Sequence, residues 1–199
     1  MRISKLATIF LLSLPLLAQG SKPPDTRPGC NRCPATFIPK AELQTYLKRA
    51  PADILVLDQQ VRAVDTGKDH VDIGVVYRGK LTTNSPVAEH DLVSEVYYIL
   101  DGAATLVTGP DIIGLKRRPA DDRAVRLLNG PGGNGTSIRN GVAHELKPGD
   151  MIVIPAGTGH WFTRIDDHIS YIMVRVDPDK VTPLKDEAAS QADLRGGGR

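Results

Sequence analysis

Short runs that alternate apolar and polar residues, broken every few positions by Gly, Pro or Asp, restrict this chain most. Gln60–Val64, Val71–Tyr77, Glu95–Leu100, Ala104–Val107, Met151–Ile154 and Tyr171–Val176 each read as a strand. Side chains along a strand point to opposite faces in turn, so a half-buried strand repeats every two residues. Many such strands joined by turns predict an all-β fold, either a small antiparallel β-barrel or a double-sheet jelly roll. The turns have their residues: 19 Gly and 15 Pro in a chain of 199, with a hydrophobic content of 41% that suits one domain. One helical pattern stands apart at Lys40–Ala50, where Leu43, Tyr46 and Leu47 share a face and Pro51 ends the run.

The two ends of the chain read differently from its middle. Arg2 and Lys5 precede an apolar run, Leu6–Leu17, and Ala18-Gln19-Gly20 offers the small residues of a cleavage site, so residues 1–20 read as an export signal. The run is too short to cross about 30 Å of hydrocarbon as a helix, and no later segment has about 18 consecutive apolar residues. The expected product is an exported protein, periplasmic or secreted, with no membrane attachment once the signal is removed. That removal lowers Lys plus Arg from 25 to 23 against 23 Asp plus Glu. A neutral chain gives no electrostatic basis for binding nucleic acid or an anionic membrane, and a small-molecule partner is expected instead.

Residues 21–36 form a Pro-rich arm that carries Cys30 and Cys33. No second Cys or His pair follows at zinc-site spacing, and Pro28 and Pro34 do not suit the helix start of a thioredoxin-like motif. In an oxidising compartment a local disulfide is the expected outcome. Residues 37–184 are read as the domain, including the helix at 40–50. The segment 185–199 has little to bury and is expected to be disordered. Between the strands, residues 109–148 are irregular. Gly130–Gly135 matches G-x-G-x-x-G but has neither the strand before it nor the helix after it that a phosphate site needs, so it is read as a flexible hairpin loop. Asn134-Gly135-Thr136 also fits a glycosylation acceptor.

The chemistry is expected in two segments on either side of that stretch. The first runs from His90 through Glu95 to Gly102, and the second from Gly149 through Pro155 and Gly157 to His160. Each sets metal-capable side chains beside a tight turn at a strand end. Two neutral imidazoles and one carboxylate can hold a divalent transition metal and leave positions open.

At these residues the sequence resembles the cupin family. His90, four residues, Glu95, six residues and Gly102 follow the end of its first motif; Gly149, five residues, Pro155-x-Gly157, two residues and His160 follow its second. The resemblance covers roughly Val71 to Val176 and implies the antiparallel barrel or jelly roll already expected. Two positions differ: Ala88 stands where the first motif has its first histidine, and Arg164 stands where the second ends in asparagine. The remaining set, His90, Glu95 and His160, is a 2-His-1-carboxylate arrangement. It favours Fe(II), with Zn, Mn and Ni open. His144 is a further histidine that could add a ligand or lie on the surface, and Glu89 is set aside because adjacent strand residues face opposite ways.

Alternation extends the candidate site. If Glu95 points inward, so do Tyr97 and Ile99; if His160 does, so do Phe162 and Arg164, while Trp161 points outward. Tyr97 is thus a candidate catalytic phenol, and Arg164 a candidate clamp for a substrate carboxylate or a rim residue paired with Asp166 or Asp167. Two classes of function stay open: a metal-dependent enzyme, oxygenase-like first and a lyase or isomerase next, and a non-catalytic binder of a small ligand. Pairing through exposed sheet edges makes a homodimer an expectation.

Overall fold

The computed structural model describes residues 27, 29–30, 32–50 and 54–196, so the export signal expected over residues 1–20 lies outside the described residues. In chain order the elements are α1 (Lys40–Leu47), β1 (Val56–Asp65), β2 (His70–Gly79), β3 (Val87–His90), β4 (Ser94–Gly102), β5 (Ala104–Gly109), β6 (Ile112–Ile113) and β7 (Lys116–Arg117). A single π-helical turn, Val125–Asn129, precedes β8 (Gly132–Gly135) and β9 (Ser137–Ile138). Then come β10 (Val142–Leu146), β11 (Met151–Ile154), β12 (Gly159–Arg164), β13 (His168–Asp177) and α2 (Glu187–Gly196).

The strands form two antiparallel sheets, five strands in the order β1-β2-β13-β4-β11 and six in the order β10-β5-β12-β3-β8-β7, with a small β6-β9 ribbon at the side. Between them lies one apolar core: Val76, Tyr97, Ile99, Ile154, Tyr171 and Met173 from the first sheet meet Leu106, Leu146 and Phe162 from the second. This is a jelly roll of two sheets, the second of the two architectures that the alternation predicts.

The β1–β2 side of the five-stranded sheet is covered on its outer face too, which explains the continuous burial of Gln60–Ala63 in β1. On its outer side Val61 and Val75 pack with Tyr46 of α1, alongside Leu43, Leu47 and Leu194. A bulge between Gln60 and Arg62 puts an extra residue into β1, and it lets Val61 meet Tyr46 while the next side chain, Arg62, bonds Glu42 on the same helix.

Two expectations are corrected. Residues 187–196 of the tail form α2 rather than disorder, because the segment has a docking surface: Ser190 is fully buried and its hydroxyl bonds the Val61 carbonyl, while Tyr46 donates to the Ser190 carbonyl at 3.1 Å. The Gly-rich stretch is not a flexible hairpin loop. Its residues Gly132–Gly135 form β8, paired with β3 from Val87↔Gly135 to His90↔Gly132. The absence of side chains is what admits them, since a Cβ on Gly132 would stand 2.2 Å from the Glu89 carbonyl oxygen. Cys30 and Cys33 are joined as a disulfide.

Candidate metal centre

Three strands deliver the candidate ligands to the inner space between the sheets. His90 ends β3, Glu95 is the second residue of β4, and His160 is the second residue of β12. The register explains their convergence: His160 pairs with Ala88, two residues from His90 on the same strand, so the two imidazoles share a face. Their ring centroids lie 5.1 Å apart. Glu95 reaches both from the opposite sheet, with Oε1 3.4 Å from His90 Nε2 and Oε2 3.6 Å from His160 Nε2. All three residues are buried, and one ligand atom from each lies within 4.8 Å of the others.

The protonation states suit ligation. Burial, the largest effect on both rings, drives the histidines towards the neutral form and takes His90 down to about 3 despite the attraction of Glu95. Burial pushes Glu95 up, but His90, His160, Arg175 and the Tyr97 hydroxyl outweigh it and hold the carboxyl at about 2. Neutral imidazole and ionised carboxylate are the forms that bind a cation. The His160 tautomer is set by its backbone: Nδ1 donates to the Thr158 carbonyl at 3.2 Å, which leaves the Nε2 lone pair directed at Glu95.

Around this group three donors converge. Tyr97 donates to Glu95 Oε2 at 2.7 Å and stacks on Tyr171, with centroids 4.4 Å apart. Its pKa is raised well above 10, by burial first and then by the Glu95 charge, so the phenol is a donor and not a base. Arg175 of β13 pairs in register with Glu95 and donates to Oε1 at 3.3 Å, and its other end bonds Asp58. Asn129, the last residue of the π turn, brings Nδ2 to 2.7 Å from His90 Nε2 and 3.3 Å from Glu95 Oε1.

Sequence reasoning gathers His90, Glu95, His160 and Tyr97, and the structure brings these four together. It does not bring Arg164. A bulge between Phe162 and Arg164 shifts the pairing from Phe162↔Leu106 to Arg164↔Thr105, so the alternation that buries Phe162 breaks and Arg164 turns outward. Its side chain is 65% exposed and bonds Asp166. Of its two readings the rim residue is the one found, and the substrate clamp is corrected. His144 lies away from the centre and meets the Thr108 hydroxyl at 3.0 Å, and Trp161 donates to the Ser85 carbonyl at 2.8 Å.

Arg175 and Asn129 were missed. Arg175 had a signal: it shares a strand face with Tyr171 and Met173, and a guanidinium on an apolar face demands a buried counter-charge. Asn129 had none, because only the π turn and Gly130 after it put the side chain there. Gly130 has φ +66°, a conformation that favours glycine, and a Cβ on it would come within 2.3 Å of Val181.

No protein-family model matches the chain, and no curated protein matches it in sequence. Among solved structures it is similar to the EutQ protein of Clostridium difficile, with 18% identity and a TM-score of 0.36 over 62% of this chain and 69% of that one. It is similar to BH2720 from Bacillus halodurans, with 16% identity and a TM-score of 0.42 over 81% of this chain and 98% of that one. It is also similar to the DMSP lyase DddQ of Ruegeria pomeroyi DSS-3, with 19% identity and a TM-score of 0.39, where 69% of this chain spans 56% of that one. The two facing sheets carry His90, Glu95 and His160 on their inner side, and the fold is a double-sheet jelly roll.

Proposed function

We propose that this chain is an exported, metal-dependent enzyme that holds one divalent transition metal, Fe(II) before Zn, Mn or Ni, and oxidises a small organic substrate in an oxygenase-like reaction. The observation that carries the reading is the donor set: two buried imidazoles and one buried carboxylate with their ligand atoms within 4.8 Å. The chemistry of the donors fits the ion, since both rings are driven neutral by burial and the carboxyl is held ionised at about 2. When bound, such a metal supplies Lewis acidity and open positions for substrate and O₂.

The chain's own residues then have separable tasks. His90, Glu95 and His160 bind. Tyr97 keeps its proton and fixes Glu95 through Oε2, while Arg175 fixes Oε1. The surrounding apolar core keeps water from the ligands. A groove of about 490 Å³ lies between β1 and the π turn, lined by Asp58, Gln60, Leu127 and Leu128; His90, Glu95 and His160 do not line it. Asp58 on its wall is bonded to Arg175, which bonds Glu95, so the groove is linked to the centre by side-chain hydrogen bonds and not by an opening. A homodimer is part of this proposal: the outer face of β4 and edge strand β11 exposes Tyr98, Met151 and Val153, an apolar strip that a second copy would cover.

The test is elemental analysis of residues 21–199 purified from the periplasm without chelator, beside His90→Ala, Glu95→Ala and His160→Ala, together with O₂ uptake over phenolic and carboxylate compounds. One equivalent of metal, lost in each variant, with substrate-dependent O₂ consumption supports the reading. No metal, or metal indifferent to the variants, overturns it. Bound metal with ligand-induced stabilisation but no turnover replaces the enzyme by a binding protein. Light scattering tests the dimer, and a monomer at micromolar concentration removes it.

A further inference from the structure

Asn129 sits beside two of the candidate ligand atoms. Its Nδ2 lies 2.7 Å from His90 Nε2 and 3.3 Å from Glu95 Oε1, two of the atoms that form the metal-capable group. Glu95 Oε1 is an acceptor, and His90 Nε2 is one in the tautomer protonated at Nδ1, so in that tautomer without a metal the group facing them is a donor. With a metal on those same atoms the demand reverses: a donor there faces a cation, and an oxygen is required instead. A carboxamide meets either demand, because a half-turn about its Cβ–Cγ bond exchanges Nδ2 and Oδ1 with little movement of heavy atoms.

A second observation points the same way. Asn129 is buried, and its Oδ1 has no hydrogen-bond partner. A buried amide oxygen without a donor is destabilising in this arrangement, and after the half-turn it would face a cation at the centre instead. The chain also has a reason to recruit it. Ala88 carries no ligand atom although it shares a strand face with His90 and pairs with His160, so β3 supplies one histidine to the centre and the π turn delivers a further polar group. π turns are uncommon and recur at functional sites, where they aim one side chain that a regular helix would not.

We propose that Asn129 is the fourth protein ligand of the metal, coordinating through Oδ1, and that in the metal-free protein its amide holds the site closed by donating to the same acceptors. The proposal rests on the metal reading above, with a readout that does not depend on turnover. Metal-stripped wild type, Asn129→Ala and Asn129→Asp are titrated with Co(II); affinity is read by competition with a chromophoric chelator and coordination by the visible d–d spectrum. Asn129→Ala is expected to keep one equivalent but to bind about ten- to a hundredfold more weakly, with a changed spectrum. Asn129→Asp, which keeps the oxygen and loses the NH₂, is expected to bind at least as tightly as wild type. It is close to isosteric and serves if Asn129→Ala does not fold.

Unchanged affinity and spectrum in Asn129→Ala overturn the proposal. So does an Asn129→Asp that folds and yet binds as weakly as Asn129→Ala, since that assigns Asn129 a donor role. Wild type that takes up no Co(II) overturns the three-ligand reading and this one with it, and that failure is visible in wild type alone.

Discussion

Two buried polar clusters in this molecule are assembled on opposite terms. Where α1, α2 and β1 meet, the buried charges are paired with opposite charges at hydrogen-bond distance. Arg62 places Nη1 and Nη2 at 2.7 and 3.0 Å from the two oxygens of Glu42, and Lys185 joins the Gln60 carbonyl at 2.6 Å to Asp193 at 2.7 Å. Between the sheets, His90, Glu95 and His160 instead crowd lone pairs together, and Asn129 Oδ1 and Arg175 Nη1 beside them are buried without partners. The first cluster pairs its charges as it folds. The second concentrates acceptors at a cost to stability, the pattern expected where a site is kept for chemistry.

That contrast is open to attack, and Glu95→Ala attacks it hardest. It removes the ligand shared by both histidines and should take metal content by elemental analysis from one equivalent to near zero; retention of metal would erase the distinction between the clusters. Glu42→Ala is the counterpart in the matched cluster. It leaves Arg62 buried without its ion-pair partner, with an expected loss of about 3–5 kcal/mol in urea unfolding and no loss of metal. Tyr97→Phe deletes one donor to an ionised group, so a loss of about 1.5–3 kcal/mol with unchanged metal stoichiometry is expected.

Acid should act on the second cluster. His90, held at about 3 against an ordinary 6.5, binds fewer protons folded than unfolded between those values, and burial shifts His160 in the same direction. Metal-free protein therefore gains stability as pH rises through that window and loses it as pH falls, by up to about 1.4 kcal/mol per pH unit for His90, with His160 acting in the same direction. Asp72, raised by burial from 3.8 to about 6, opposes this over its own range. Two rings against one carboxyl leave a net fall towards pH 4, to be read as the urea midpoint in chelator. Arg164→Ala should change least: exposed and bonded to Asp166, it is expected to leave both melting temperature and metal content at wild-type values.

What could be read from the chain was what period and spacing encode. Met151–Ile154 and the cores of β1, β2, β4, β5 and β13 follow from alternation, and the candidate ligands follow from motif spacing. The failures share a cause, which is that local pattern is blind to contacts made far along the chain. One extra residue at Thr163 turned Arg164 outward. Glycines that signal a loop became β8 because β3 needed a neighbour without side chains. The final segment looked unable to bury anything until α1 and β1 gave it a surface.

That last contact sets an order of events during synthesis. The carbonyls of Gln60 and Val61 receive their donors from Lys185 and Ser190, and the Tyr46 hydroxyl finds its acceptors at Ser190 and Asp193. Until the last stretch of chain has left the ribosome, the outer side of the first two strands must wait unfinished. A nascent chain halted between His160 and Lys185 would hold the candidate ligands yet lack the piece that seals its beginning.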